Sequence, residues 1–249
     1  MSTVFSFDAQ LAGIDLTYAF RFSETSLFFR SIRSKDPFRE SLTGIPVRVT
    51  ENEFEGWKKS GKVIDGFGEF CLACMPTSEA LLPHSRCIFH AAAINSKGKA
   101  WLIAAGSGVG KSTLCRELVD GWPAEFAVIN GDKPVLHACT DGTVMVYPSP
   151  WNGKEGWQGA HAAPLGGIFL LRRGSEDSSK RLDRKEAVCE TYSSIFQSFG
   201  NEQIIQYAAK MTEVILNNCA VWSLTSCNVK NTARLAYTCI SEEVRAFGV

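Results

Sequence analysis

Residues 106–113 read GSGVGKST, a glycine-bearing loop that ends in lysine, serine and threonine. The spacing matches G-x-x-x-x-G-K-[ST], in which the glycines let backbone N–H groups turn onto phosphate oxygens. A helix that begins at this point would add its N-terminal partial positive charge. The pattern predicts a nucleotide site formed by Gly106, Ser107, Gly108, Val109, Gly110, Lys111, Ser112 and Thr113.

Two side chains of this loop have separate expected tasks. Lys111 would reach the β- and γ-phosphates, and the Ser112 hydroxyl would take a position on Mg²⁺. A glycine-rich strand-to-helix turn that binds nothing is the alternative interpretation. The apolar stretch before the loop and the helical composition after it favour the phosphate site, because its mechanism needs that context.

An acidic residue follows the next apolar stretch. Asp132 comes 21 residues after Lys111, just beyond FAVIN, so the chain has little room for inserted elements. Ligands of open α/β sheets bind at the carboxyl ends of the strands, so we expect Asp132 beside the loop, holding Mg²⁺ directly or through water. The alternative is an aspartate that stabilises the turn before Pro134.

The first part of the chain has the alternation of half-buried strands. In IDLTYAFRF, apolar residues at 14, 16, 18, 20 and 22 alternate with other types, and GIPVRVTE and FGEFCLAC repeat the tendency. The segments RSKDPFRESLTG and GWKKSGK are charged connections that contain glycine. We therefore predict a small β-rich N-terminal lobe over residues 1–85.

From residue 86 onward, strand and helix patterns alternate. CIFHAAAI and KAWLIAA flank the turn NSKG, STLCRELVDGW is helical in composition, and PVLHA and TVMVY flank the turn DG. GGIFLL and AVWSLT read as strands, and NTARLAYTCISEEV reads as a closing helix. Two further helices are predicted from the apolar faces Val188, Tyr192, Ile195, Phe196 and Phe199, ending at Gly200, and Ile204, Ala208, Met211, Val214 and Ile215. Residues 86–249 are therefore predicted to form an α/β nucleotide-binding domain.

Composition excludes several classes of partner. Lys and Arg total 26 and Asp and Glu total 26, so no global basic field favours nucleic acid. No apolar run approaches the roughly 20 residues that cross a bilayer. Nine cysteines without a secretion signal are typical of a reducing compartment, so we expect a cytoplasmic protein without a membrane anchor. The pair Cys71 and Cys74 is read as core packing, since no second pair stands at zinc-site spacing.

Four segments together resemble a known family. They are FHAAAINSKGKAWLIAAGSGVGKSTLCREL, VINGDKPVL, YPSPWNGKEGW and VWSLTSCNVKNTARLAY, and in this order they are similar to the C-terminal domain of HPr kinase/phosphorylases, in its stand-alone, HPr-kinase-like serine kinase branch. The resemblance runs over about residues 85–240. It implies a P-loop core with a mixed sheet, related to phosphoenolpyruvate carboxykinases, with ATP and Mg²⁺ as cofactors.

The resemblance also implies site residues. His90 would lie near the reaction centre, and Glu155, 23 residues beyond Asp132, would bind the metal together with Ser112 and Asp132. Lys154 would contact phosphate. Histidine is also a common core residue, and a Lys-Glu loop can simply be solvated. Trp151 and Trp157, which flank this loop, are equally readable as walls of an acceptor site or as hydrophobic anchors.

One position departs from the family. Many relatives have two adjacent aspartates where this chain has Gly131 and Asp132. The base role would then fall to Asp132 or His90, with Lys111 neutralising charge. Because phosphoryl transfer depends mostly on positioning and charge neutralisation, loss of one carboxylate need not abolish it.

The leading hypothesis is an ATP-dependent kinase that transfers the γ-phosphoryl group to a hydroxyl of a protein, a peptide or a small molecule. An ATP-binding regulatory module without transfer is the alternative, favoured by Gly131. A carboxykinase-like activity fits less well, because the chain is short and shows no basic constellation for a dicarboxylate. The sequence leaves the acceptor and homo-oligomerisation open.

Overall fold

The computed structural model describes residues 5–32 and 44–246 and shows a mixed α/β protein with a small N-terminal sheet and a large mixed sheet. The small sheet consists of β1 (Phe5–Leu11), β2 (Ile14–Phe20) and β3 (Ile45–Arg48). β1 pairs antiparallel and β3 pairs parallel with β2. The strand predicted in IDLTYAFRF is therefore confirmed. The charged connection predicted at 33–44 lies outside the described residues, except for its last glycine.

The rest of the N-terminal part is helical, so the prediction of strands beyond β3 is wrong. It forms α1 (Glu51–Lys59), α2 (Gly66–Leu72) and α3 (Cys74–Leu81), with 3₁₀ segments at Ser23–Phe29 and Leu82–His84. FGEFCLAC lies in α2 and α3, and GWKKSGK begins inside α1. Local capping explains the difference: the side chains of Thr50 and Asp65 accept hydrogen bonds from the first turns of α1 and α2.

The large sheet has nine strands and consists of two parts that share its longest strand. Its members are β4 (Arg86–Ile88), β5 (Ala91–Ser96), β6 (Lys99–Ala104), β7 (Phe126–Asn130), β8 (Val135–Ala138), β9 (Val144–Tyr147), β10 (Ala163–Arg173), β11 (Ser178–Arg181) and β12 (Ala220–Ser226). The first two residues of β10 pair with β9, which continues to β8 and β4. The rest of β10 lies between β6 and β12.

Strand direction brings four chain segments to one edge of this sheet. β6 runs parallel to β10 and β12, whereas β5 is antiparallel to β6 with Ala91 opposite Ala104. β7 is antiparallel to β5, with Asn130 opposite Ala93. The start of β5 and the ends of β6, β7 and β10 therefore meet, as expected for a site at the carboxyl edge of a sheet.

Helices cover both faces of the large sheet. α4 (Lys111–Gly121) and α7 (Val229–Ala246) pack on one face, against a core that includes Trp101 and Phe169. α5 (Arg184–Ser193) and α6 (Glu202–Asn218) lie on the other face. Among the described residues, no helix is both long and apolar enough to cross a membrane.

Most elements predicted after residue 86 are confirmed, with one error at α5. The β5–β6 and β8–β9 hairpins, α4, α6, β12 and α7 are where the sequence predicts them. The predicted face of the first helix extends too far, because α5 ends at Ser193 and Phe196 N donates to Ile88 O, 3.0 Å away. Phe199 is 75% exposed rather than packed. The short strands β4 and β11 were not predicted.

A buried carboxyl group joins the 3₁₀ segment to α2. Glu69 is 1% exposed. Its oxygens accept hydrogen bonds from the backbone N of Arg21 (2.8 Å), the backbone N of Phe22 (3.1 Å) and Thr25 Oγ1 (2.7 Å). These contacts hold the 3₁₀ segment Ser23–Phe29 against α2.

We expect Glu69→Ala to lower the free energy of unfolding by at least about 2 kcal/mol, because it leaves buried donors without an acceptor. Chemical denaturation measures this change. The matched control is Glu55→Ala on the exposed side of α1, with an expected loss below about 0.5 kcal/mol. Equal losses in the two variants would contradict the assigned role of Glu69.

Candidate functional site

A cavity of about 600 Å³ opens at the sheet edge where the four segments meet. It is lined by the glycine loop, the turn after β7 and the loop that follows β9. Its lining residues are His90, Gly106, Ser107, Gly108, Gly110, Lys111, Ser112, Thr113, Gly131, Asp132, Lys133, Gly153, Lys154, Glu155 and Phe196. Except for Val109, every site residue predicted from the sequence lines this one cavity.

The glycine loop has a backbone that other residue types would not adopt readily. Gly108 and Gly110 have φ of +76° and +124°, in the region that favours glycine. α4 begins directly afterwards at Lys111, without a side-chain cap, so the N–H groups of its first turn lack a partner from the chain's own capping residue. Arg173 at the end of β10 donates from Nη2 to Gly108 O (2.7 Å) and braces the loop.

Four ionisable side chains form a continuous row across the cavity. Lys111 Nζ lies 3.1 Å from His90 Nε2 and donates to Ala105 O at 2.8 Å. His90 Nε2 lies 3.4 Å from Asp132 Oδ1, and Lys133 Nζ forms an ion pair with Asp132 Oδ2. The structure thus brings together His90, Lys111 and Asp132, the three residues predicted as catalytic.

The charges of this row affect one another. Burial alone would raise the pKa of Asp132, but the hydrogen bond from His90 and the charge of Lys133 outweigh it and lower that pKa to about 2. Burial lowers the pKa of Lys111, and the Asp132 carboxylate opposes this shift. Asp132 is therefore ionised at neutral pH and is a weak proton acceptor.

The turn that carries Asp132 is fixed by the fully buried amide of Asn130. Asn130 Oδ1 accepts from the backbone N of Asp132 (3.1 Å) and of Lys133 (2.8 Å), an Asx-type turn. Its Nδ2 donates to Ser149 O at 2.9 Å. One amide side chain therefore ties the end of β7 to the loop after β9.

Gly131 packs directly against that loop. Its N–H donates to Trp157 O at 2.8 Å, and a Cβ at this position would overlap the carbonyl oxygen of Asn152. The φ angle of Gly131 is not positive, so close approach rather than backbone strain requires glycine here. A second carboxylate, as the resemblance would have it, does not fit at residue 131 unless the loop moves.

The same loop brings a second carboxylate to the cavity. Glu155 lines it, and Arg116 Nη2 from α4 lies 3.9 Å from Glu155 Oε1. Ser112 and Asp132, the other predicted metal ligands, line the same cavity. Within the described part of the chain, no group of three or more His, Cys, Asp and Glu side chains is arranged to hold a metal ion.

The two tryptophans of this loop have different surroundings. Trp151 is 3% exposed and packs with Phe29 and Phe70, so it anchors the loop on the N-terminal part. Trp157 is half-buried, and the Arg116 guanidinium lies 5.4 Å from its ring centroid.

The cysteine pair of the N-terminal part lies in α2 and α3. Cys74 is buried and Cys71 half-buried, both as free thiols.

Sequence reasoning missed three residues that shape the site: Asn130, Lys133 and Arg173. An Asx turn was detectable, because an asparagine at a strand end followed by GD favours one. Lys133 was visible as a cation beside Asp132. The role of Arg173 depends on β10 lying next to β6, which no local pattern shows.

The fold and the cavity define a mixed α/β protein with a glycine-bearing loop and several charged side chains at one edge of its large sheet. A family model described as "SynChlorMet cassette protein ScmC" matches residues 71–223, more than half of the chain. The protein belongs to the ScmC family. This match covers the glycine loop, the Asp132 turn and the Glu155 loop.

Comparisons with solved structures and with curated proteins show less about this chain than the family model does. Among solved structures, one similar chain is the Hpr(Ser) kinase/phosphatase from Coxiella burnetii, with a TM-score of 0.38 and 11% identity over 65% of this chain and 99% of that one. A TM-score of this size does not establish a common fold. The comparison with curated proteins found no match. The matched family is thus ScmC, and the likeness to HPr kinases stays an expectation from the sequence.

We expect Gly131→Ala to lower the free energy of unfolding by about 1–3 kcal/mol, because the added methyl group forces the Asn152 loop away. The matched control is Gly121→Ala at the end of α4, where a Cβ meets nothing within 4 Å and φ is not positive. Its expected change stays within about 1 kcal/mol and is stabilising if anything. Chemical denaturation that shows Gly131→Ala to be as stable as the original chain would contradict the close packing.

Proposed function

We propose that the protein is an ATP-dependent phosphotransferase that moves the γ-phosphoryl group to a hydroxyl acceptor. The observation that supports this most is the convergence of the uncapped start of α4, the Lys111 ammonium and the Asp132 carboxylate in one cavity. An anion-binding helix start beside a lysine and a carboxylate is the arrangement that phosphoryl transfer requires.

The loop residues would hold the triphosphate. Backbone N–H groups from Gly106, Ser107, Gly108, Val109, Gly110, Lys111, Ser112 and Thr113 face the phosphate oxygens in this proposal. Lys111 neutralises charge on the β- and γ-phosphates. Its ammonium is already held by a hydrogen bond to Ala105 O, so little ordering is needed on binding.

Three oxygen-bearing side chains of the cavity fit a magnesium ion. The Ser112 hydroxyl and the carboxylates of Asp132 and Glu155 are hard ligands, and Mg²⁺ in nucleotide sites uses only a few protein ligands together with phosphates and water. When bound, Mg²⁺ neutralises charge on the phosphate oxygens. The low pKa of Asp132 keeps this carboxylate ready for a cation.

In the proposed transfer step, Asp132 and His90 lie next to the acceptor hydroxyl. The acceptor oxygen forms a bond to the γ-phosphorus, the bond from that phosphorus to ADP breaks, and the hydroxyl proton passes to Asp132 or to His90. Because the pKa of Asp132 is lowered to about 2, Asp132 is a weak base and its larger contribution is orientation and charge. His90 is the second candidate proton acceptor, through Nε2 in the tautomer that does not donate to Asp132.

Two observations favour a second candidate, an ATP-binding regulatory module. Residue 131 has no room for a carboxylate, and Asp132 is already paired with Lys133. Both features reduce the basic capacity of the site and leave nucleotide binding intact. The two candidates differ only in whether phosphate leaves ATP.

We expect the protein to bind Mg·ATP and Lys111→Ala to weaken that binding about 10–100-fold, because a charge-assisted contact of roughly 1.5–3 kcal/mol is lost. Isothermal titration calorimetry measures both dissociation constants. Lys210→Ala, on the exposed side of α6, is the matched control and leaves binding unchanged. Absence of Mg·ATP binding by the original chain would contradict both candidates.

We expect Asp132→Asn to reduce γ-phosphoryl release at least about 100-fold while Mg·ATP still binds, because the acceptor hydroxyl loses the carboxylate that would orient it and accept its proton. The measurement uses γ-labelled ATP with Ser and Thr peptides, small alcohols or water as acceptor. Label on any acceptor with the original chain supports the transferase. Full binding without label release from the original chain favours the regulatory module.

A further inference from the structure

A second cavity of about 590 Å³ adjoins the cavity lined by the glycine loop, Asp132 and Glu155, here called the phosphate cavity after the proposed function. The two share Asp132, Lys133, Gly153 and Lys154 along their common border. The far side of the second cavity is aromatic and comes from the 3₁₀ segment, α2 and the loop after β9. Its aromatic lining, here called the aromatic wall, is Phe28, Phe67, Phe70 and Trp151.

The aromatic wall is an ordered stack. The ring centroids of Phe28 and Phe70 lie 4.9 Å apart, and those of Phe70 and Trp151 lie 5.6 Å apart with an interplanar angle of 10°. Phe67 meets Phe28 edge to face at 5.6 Å. Rings in such arrangements leave flat faces on which a further ring can pack.

Hydrogen bonds hold the aromatic wall in position. Trp151 Nε1 donates to Phe70 O at 2.8 Å, which joins the loop to α2. Glu69 fixes the 3₁₀ segment that carries Phe28 against the helix that carries Phe67 and Phe70. The cavity is therefore pre-formed, as small-ligand and side-chain sites usually are.

Two of the four rings of the aromatic wall are accessible, whereas Phe70 (7% exposed) and Trp151 (3% exposed) are buried behind them. Phe28 is 39% and Phe67 is 57% exposed. Five of the seven large hydrophobic residues that are exposed in the described part of the chain lie in residues 5–67. Two of these residues, Phe28 and Phe67, line the second cavity, and exposed apolar rings in a cleft mark an interaction site.

The charged residues at the border between the two cavities favour a ligand that extends from the aromatic wall toward Asp132. Lys133 and Lys154 line it, and the one carboxylate there, Asp132, is already paired with Lys133. A ligand that extends from the aromatic wall toward Asp132 therefore meets cations on its way to the proposed transfer point. Its polar end lies beside the phosphate cavity while its apolar end lies on the rings.

We propose that the aromatic wall binds the aromatic side chain of a peptide segment whose neighbouring Ser or Thr receives the phosphoryl group. The volume of about 590 Å³ exceeds that of one aromatic side chain, which leaves room for the peptide backbone that carries it. This inference rests on the proposed transferase function. It adds the class of acceptor: a peptide with an aromatic residue close to the phosphorylated hydroxyl.

The test compares binding of short labelled peptides that contain one Ser, with Phe or Ala one or two positions before or after it. Fluorescence anisotropy in the presence of Mg·AMP-PNP measures affinity without requiring turnover. In the preferred register, the Phe peptide is expected to bind about tenfold more tightly than its Ala partner, equivalent to about 1.4 kcal/mol. Equal affinities for Phe and Ala in every register would overturn the proposal.

Variants of the wall locate the effect. Phe67→Ala removes the preference for Phe, and Phe28→Ala provides a second test if the first variant unfolds. Leu27→Ala is the matched control, because Leu27 is 51% exposed and next to Phe28 but lies outside the cavity lining. A preference for Phe that survives in both wall variants would overturn the assignment of the wall.

Two further readouts separate the possible failures. Mg·mant-ATP binding, measured alone, tests the nucleotide site, and it must be unchanged in Phe67→Ala. Its absence in the original chain would remove the transferase function, whereas the peptide comparison would still decide whether the wall binds a ring. Competition by 2-phenylethanol as strong as that by the Phe peptide would overturn the peptide assignment in favour of a small aromatic alcohol.

Discussion

The site depends on one buried amide. Asn130 ends β7, and its side chain holds the turn of Asp132 and Lys133 on one side and the Ser149 segment on the other. Because Gly131 between them has no side chain, the two segments approach to backbone contact. A buried amide that lost these partners would carry a desolvation cost, so the arrangement is self-reinforcing. Asp132 and the loop that carries Trp151 and Glu155 take their positions from this junction, whereas Glu69 holds the other rings of the aromatic wall.

Electrostatics explains why one carboxylate can sit among several cations. Lys111, Lys133 and Lys154 line the phosphate cavity, and Asp132 stays ionised because His90 and Lys133 stabilise its charge more than burial opposes it. Such a cavity is complementary to a polyanion that brings its own divalent cation. The ion pair with Lys133 also makes Asp132 a weak base. Binding of a nucleotide in this cavity therefore does not by itself imply transfer of its phosphoryl group.

The fold after residue 86 is predicted well from the sequence, because its hairpins and helices have long and regular local patterns. The hairpin before the glycine loop, α4, α6 and α7 have periods and turns that agree with their final environment. The N-terminal helices were missed because all three are short, α1 and α2 contain glycine, and α3 contains proline. The caps at Thr50 and Asp65 therefore decide the structure of α1 and α2 more than periodicity does. Convergence of His90, Lys111 and Asp132 was predictable from strand ends. The aromatic wall was not, because it joins residues separated by more than 80 positions.

We propose that the start of α4 binds nucleotide phosphates next to Asp132. A crystal structure of the protein with Mg·AMP-PNP tests it most directly. We expect β- and γ-phosphate oxygens within hydrogen-bond distance of the backbone N–H groups of residues 108–112 and of Lys111 Nζ, with the γ-phosphate facing Asp132. A nucleotide bound elsewhere, or one whose phosphates do not contact this loop, would contradict it.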